Sequence, residues 1–116
     1  MFENISVKQA LKLVYEKEAL LFDLRGEEEY KKGHLPMAEL VAEEELFSRL
    51  EEEKKKGDKK IILYCAFGNQ SMLTAREYAE AGYENMASIV GGYHAYEGYV
   101  EAQKNQLWTM EWKMRG

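Results

Sequence analysis

A single cysteine, Cys65, stands in 116 residues, so the chain has no internal disulfide to draw on. Two histidines, His34 and His94, lie at unrelated places and with one thiol supply too few ligands for a zinc site, so no metal or other cofactor is expected. No run approaches the roughly 18 consecutive apolar residues that a membrane-spanning helix needs, and no membrane partner is expected. Positive charge is also scarce. Sixteen lysines and arginines against 21 acids leave a net charge of −5, and no basic stripe interleaved with aromatics offers a face to nucleic acid. The opening Met-Phe-Glu-Asn-Ile-Ser-Val-Lys-Gln lacks a basic stretch ahead of a long apolar core, so no secretory signal is read there and the cytoplasm is the expected compartment. Small molecules or proteins remain as partners.

What is present suits one globular domain, with 46% hydrophobic and 32% charged residues. Ser6 caps an amphipathic helix over residues 7–17, whose Val7, Ala10, Leu11 and Val14 share a face. Ala19 to Phe22 is a short apolar run suited to a strand covered on both sides, and it stops at Asp23-Leu24-Arg25. Glu27 to Lys32 places acids early and lysines late in a short helix closed by Gly33, after which a loop carries His34 and Pro36. Residues 38–42 make a weaker strand. Glu43 to Lys56 is a helix presenting Leu46, Phe47 and Leu50 on one face, and its Glu51–Lys56 charge run reads as a solvated helix end stopped by Gly57. Ile61 to Tyr64 forms a buried strand. Ser71 to Ala81 forms a helix with Leu73, Tyr78 and Ala79 for packing and Gly82 beyond it, and Met86 to Val90 forms a last strand ending in Gly91-Gly92.

Strands separated by helices require crossovers, which predicts an α/β domain with a mostly parallel central sheet of about four to five strands and helices on both faces. Ligands of such sheets collect beyond the carboxyl ends of the strands. Asp23, Arg25, Cys65 and Gly91-Gly92 all fall at those ends. Cys65 also opens the loop Ala66-Phe67-Gly68-Asn69-Gln70-Ser71 that leads into a helix, with Ser71 read as its cap. Backbone N–H groups of such a loop converge on one point and stabilise an anion there, lowering a thiol's pKa and favouring a terminal persulfide. A small hydrophobe at a strand end is the competing reading of Cys65.

Six motifs in order resemble the rhodanese family of single-domain sulfurtransferases over about residues 19–96: Asp23 with Arg25, Glu29-Tyr30, Gly33-His34-Leu35-Pro36 with Ala38, the Cys65–Ser71 loop, Gly82-Tyr83 with Asn85, and Gly91-Gly92. The resemblance implies a three-layer rhodanese fold and a persulfide on the catalytic Cys65. Sulfane sulfur would pass from thiosulfate or a persulfide, small or protein-bound, to a thiol or cyanide. The alternative is a non-catalytic rhodanese module that binds a protein or senses oxidants through the same thiol. Residues 66–71 would form the substrate loop, Asp23 and Arg25 would support it or touch substrate, and His34 would hydrogen-bond to backbone. Many members carry arginines where this chain has Ala66 and Gln70, which disfavours a dianion such as thiosulfate. A related cysteine phosphatase loop needs an arginine six residues beyond its nucleophile, where this chain has Ser71. The domain is read as residues 1–98. Residues 99–116, with Trp108 and Trp112 on one helical face, are a C-terminal extension packed on the domain or at an interface, a homodimer contact or a docking surface for a sulfur donor being the interface readings.

Overall fold

Successive side chains on a strand point to opposite faces, and in this chain that alternation builds two cores on one sheet. The computed structural model describes residues 2–57 and 59–115, without the side chains of Glu111, Trp112, Met114 and Arg115. In chain order it contains β1 (Phe2–Ile5), α1 (Val7–Tyr15), β2 (Ala19–Asp23), α2 (Glu27–Lys32), β3 (Glu39–Leu40), α3 (Glu43–Lys56), β4 (Lys60–Tyr64), α4 (Asn69–Glu80), β5 (Met86–Ile89) and α5 (Gly92–Arg115). The five strands lie in the order β1-β5-β4-β2-β3, every pair parallel. β4 is central, which is why Ile61–Tyr64 can be buried throughout. Leu21, Ile62, Tyr64, Ala87 and Ile89 face one core with Val7, Ala10 and Val14 of α1 and the start of α5. Phe22, Ile61, Leu63 and Met86 face the other, under Leu46 and Leu50 of α3 and Ala75 of α4. The expected three layers are therefore present.

Local chemistry sets the helix ends. The Ser6 hydroxyl accepts the Gln9 N–H at 3.1 Å while the Gln9 side chain accepts the Ser6 N–H, a reciprocal cap that starts α1. Lys17 at φ 61° turns the chain toward β2, so the helix stops at Tyr15 and not at residue 17. α3 begins with three glutamates and ends in three lysines before Gly57, as the helix dipole favours.

Several expectations shift. Phe2–Ile5 forms an edge strand where none was read, because its exposed Glu3 and Asn4 hide any apolar pattern and its backbone pairing with β5 decides the matter. The strand expected over 38–42 shrinks to Glu39–Leu40, since Met37 at φ 65° and the Ala38 N–H to Leu35 carbonyl bond make a turn just before it. Phe47 is 56% exposed, edge-on to Tyr83, and leaves the α3 core to Leu46 and Leu50. Leu73 is likewise exposed, while Tyr78 and Ala79 pack as expected beside the buried Ser71 and Ala75. α4 starts at Asn69 behind Gly68, so Ser71 lies inside the first turn and is not the cap. α5 runs unbroken across residue 98, and its residues 101–110 are exposed and do not pack back on the domain. Trp108 is among them, while the Trp112 side chain lies outside the described residues.

Candidate active site

β2, β4 and β5 deliver their carboxyl ends to one place, where β4 hands Cys65 to its loop and β5 runs out through Gly91 and Gly92. Gly68 caps α4 at φ 95°, a left-handed conformation that favours glycine, and a Cβ there would come within 2.8 Å of the Gly91 nitrogen. Gly92, at φ 58°, is tighter still: an added Cβ would overlap the Cys65 carbonyl oxygen and lie 2.8 Å from the Gly68 nitrogen. The cysteine loop thus rests directly on the double glycine.

That seat orients the amides. The Tyr93 and His94 N–H groups, in the first turn of α5, donate to the carbonyls of Cys65 at 2.8 Å and Ala66 at 3.0 Å. The C=O and N–H of one peptide point in opposite directions, so anchoring the Ala66 carbonyl outward turns the Phe67 N–H toward the sulfur. The Gly68 and Ser71 N–H groups donate to Cys65 Sγ at 3.2 and 3.3 Å, and the Ser71 hydroxyl lies 3.4 Å from it. Burial pushes the Cys65 thiol up, but the Ser71 hydroxyl and the amides of Ser71, Gly68 and Phe67 outweigh it and hold the thiol below its ordinary value. Cys65 is 6% exposed, so a reactant must bring its own sulfur to the base of the loop.

The remaining loop residues form the rim. Ala66 and Asn69 are exposed, and Phe67, 68% exposed, holds its ring 5.6 Å from that of His94. The Gln70 amide donates to Glu43 Oε1 at 2.6 Å, and the Thr74 hydroxyl joins it there at 3.4 Å. The rim of the loop therefore carries an anchored carboxylate and no arginine.

Asp23 and Arg25 are drawn into the fold. Asp23 accepts the Arg25 N–H at 2.8 Å, the Arg25 guanidinium at 2.8 Å and the Tyr64 hydroxyl at 2.6 Å, and is fully buried. Arg25 also donates to the Gly33 carbonyl at 2.7 Å and stacks 3.9 Å above the Tyr93 ring. Tyr64 Oη accepts the Leu35 N–H at 3.2 Å, and burial with the bond to Asp23 raises its pKa. This network ties the ends of β2 and β4, the 33–35 loop and the start of α5 together. His34 shares a hydrogen bond with the Leu35 carbonyl at 2.9 Å and stacks on Tyr30.

Three contributors were not singled out from sequence: Tyr64, Tyr93 and Ser88. Tyr64 and Ser88 leave a trace, a polar group inside an apolar strand. Ser88 is 1% exposed, with its Oγ 2.8 Å from that of Ser71. Among the described residues no group of three or more His, Cys, Asp or Glu could hold a metal ion, and no helix is long and apolar enough to cross a membrane.

A family model described as Rhodanese-like domain matches residues 6–99. The chain is 31% identical over 96 residues to a thiosulfate sulfurtransferase GlpE of Pseudoalteromonas translucida, covering 83% of this chain and 90% of that relative. It is similar in fold to the human single-domain sulfurtransferase TSTD1, with a TM-score of 0.67 at 20% identity over 82% of this chain and 95% of that one. A protein of unknown function from Rhodopseudomonas palustris, described as a possible tyrosine phosphatase, gives a TM-score of 0.72 at 23% identity over 84% and 81%. Those two likenesses show the fold alone.

Proposed function

The chain belongs to the rhodanese-like domain family, and from that premise we propose that it is a sulfurtransferase which carries sulfane sulfur as a persulfide on Cys65. The observation that carries this reading is the ring of donors on Sγ, two backbone amides at 3.2 and 3.3 Å with the Ser71 hydroxyl beside them. They favour the thiolate as nucleophile and would favour the terminal sulfur of Cys–S–S⁻ in the same way. In the first step the Cys65 thiolate attacks the outer sulfur of the donor. A sulfur–sulfur bond forms to Cys65, the donor's own breaks, and its electron pair leaves with sulfite or a thiolate. In the second step an acceptor thiolate or cyanide attacks the terminal sulfur, and Cys65 departs again as thiolate.

A persulfide suits this mouth better than thiosulfate. Ala66 and Gln70 offer no charge, the Gln70 amide is committed to the Glu43 carboxylate, and Phe67 presents an exposed ring. A dianion there lacks the charged hydrogen bonds worth about 1.5–3 kcal/mol each, and meets a carboxylate besides. A small or protein-bound persulfide as donor and a thiol as acceptor follow, in a compartment such as the cytoplasm that keeps a lone thiol reduced. Intact mass after incubation with thiosulfate, and separately with a persulfide donor, tests the reading. A gain of one sulfur that cyanide removes and Cys65→Ala abolishes is expected, larger from the persulfide. No gain from either donor would leave a non-catalytic binding module as the better account.

A further inference from the structure

Ser88 is a buried polar group that the proposed chemistry does not use. β5 reads Met86-Ala87-Ser88-Ile89, four buried positions of which one carries a hydroxyl. Strand alternation turns Ser88 to the same face as Met86, the α4 side, where Ser71 is fully buried. Among the described residues its Oγ has one hydrogen-bond partner, Ser71 Oγ at 2.8 Å.

Ser71 has one hydroxyl proton and three neighbours for it: Ser88 Oγ at 2.8 Å, Cys65 Sγ at 3.4 Å and the Gly68 carbonyl at 3.4 Å. If Ser71 donates to Ser88, the sulfur receives nothing from it. If Ser88 donates to Ser71, the Ser71 proton is left for the sulfur or the Gly68 carbonyl. That carbonyl already accepts the Met72 N–H at 3.2 Å, and an anionic acceptor makes the stronger bond. A Cys65 thiol can give its proton to Ser71 and Ser71 its own to Ser88. The same distances let both bonds run the other way once the thiol proton is gone, Ser88 to Ser71 and Ser71 to the sulfur.

We propose that Ser88 is a positioning residue, holding the Ser71 hydroxyl proton on the sulfur side whenever Cys65 carries negative charge as thiolate or persulfide. Its catalytic consequence rests on the sulfurtransferase reading, but the hydrogen-bond chain itself does not. The charged groups on neighbouring elements are turned to other work or to solvent. Arg25 after β2 is paired with Asp23, Glu43 of α3 holds Gln70, and His94 of α5 is exposed. None of them is among the causes that hold the thiol down.

Alkylation by iodoacetamide requires no sulfur donor, so its rate against pH on the full chain isolates this claim from the function. Ser88→Ala is expected to move the inflection up by roughly half to one pH unit, slowing alkylation about three- to tenfold on the acid side. Ser88→Thr keeps the hydroxyl and should keep the inflection. Ser71→Ala should raise the inflection as well, and the double variant should match Ser71→Ala alone. A Ser88→Ala profile superimposing on that of the parent chain would overturn the proposal, as would fully additive effects in the double variant. Should the alanine variant not fold, the parent chain decides by NMR: the Ser88 Cβ shift must titrate with Cys65, and a flat shift sinks the idea. A coupled profile in a chain that gains no sulfur from either donor would leave Ser88's role standing and remove the sulfurtransferase reading.

Discussion

The Tyr93 N–H donates to the Cys65 carbonyl at 2.8 Å, so the first turn of the last helix holds the loop that carries the candidate nucleophile. Gly92 makes that approach possible, being buried at φ 58° against the same carbonyl. Gly92→Ala adds a left-handed non-glycine residue, about 1–2 kcal/mol, together with a clash against backbone that can yield only by moving the loop. Urea unfolding should report at least that loss. Cys65 alkylation at neutral pH should slow as the amides leave the sulfur, and an unchanged alkylation rate would show that the seat does not orient the cradle.

The hydrogen bonds on Sγ hold the folded-state thiol below its unfolded value of about 8.5. Between those two values the unfolded chain binds more protons at this group than the folded one. Stability from Cys65 is therefore fully present above about pH 8.5 and is lost as pH falls through the folded pKa. Two measurements check the sign. Alkylation of the folded chain should have its inflection below that of the urea-unfolded chain, and Cys65→Ala should lose the corresponding rise in unfolding free energy with pH.

Gln70 donates to Glu43 at 2.6 Å, which makes the rim of the loop a place where charge can be edited. Gln70→Arg alone is expected to raise thiosulfate kcat/KM only slightly, because Glu43 accepts the new guanidinium. Gln70→Arg combined with Glu43→Gln frees that cation for the donor, and roughly a tenfold rise is expected from one charged hydrogen bond. Steady-state kinetics with thiosulfate and with a persulfide donor check it, since the persulfide rates should move much less.

Asp23 receives Arg25 and Tyr64 with no exposed surface, and the Arg25 side chain is 8% exposed. Asp23→Ala leaves a buried cation and a phenol without their acceptor, at a cost of about 3–5 kcal/mol. Denaturant unfolding reads that loss. Replacing Asp23 and Arg25 together by apolar residues should be milder, which would mark the pair as support for the loops and not as a substrate contact.

The alternation of the strands and the spacing of the helices were legible in sequence because burial is a local pattern. Leu46 and Leu50, Ile61 to Tyr64, and the helix from Glu43 to Lys56 all lie where periodicity places them. β1 was hidden because Phe2–Ile5 joins the sheet through its backbone, and main-chain pairing leaves no mark in side-chain order. Phe47 misled for the opposite reason: it has helical spacing toward the core but is exposed and meets the Tyr83 ring instead.

Sequence alone determined that one cysteine follows a buried apolar strand, in a glycine-bearing loop without arginine, within a mostly parallel α/β domain. Residue identity and short-range order settle those things. Only the tertiary structure decided which way the loop's amides face, that Ser71 lies within the helix beside Ser88, and that Asp23 is saturated by Arg25 and Tyr64. Tyr64 lies 41 residues from Asp23 and Ser88 lies 17 from Ser71, and although Arg25 is only two residues from Asp23, neither distance in space nor the aim of an N–H group is written in the order of side chains.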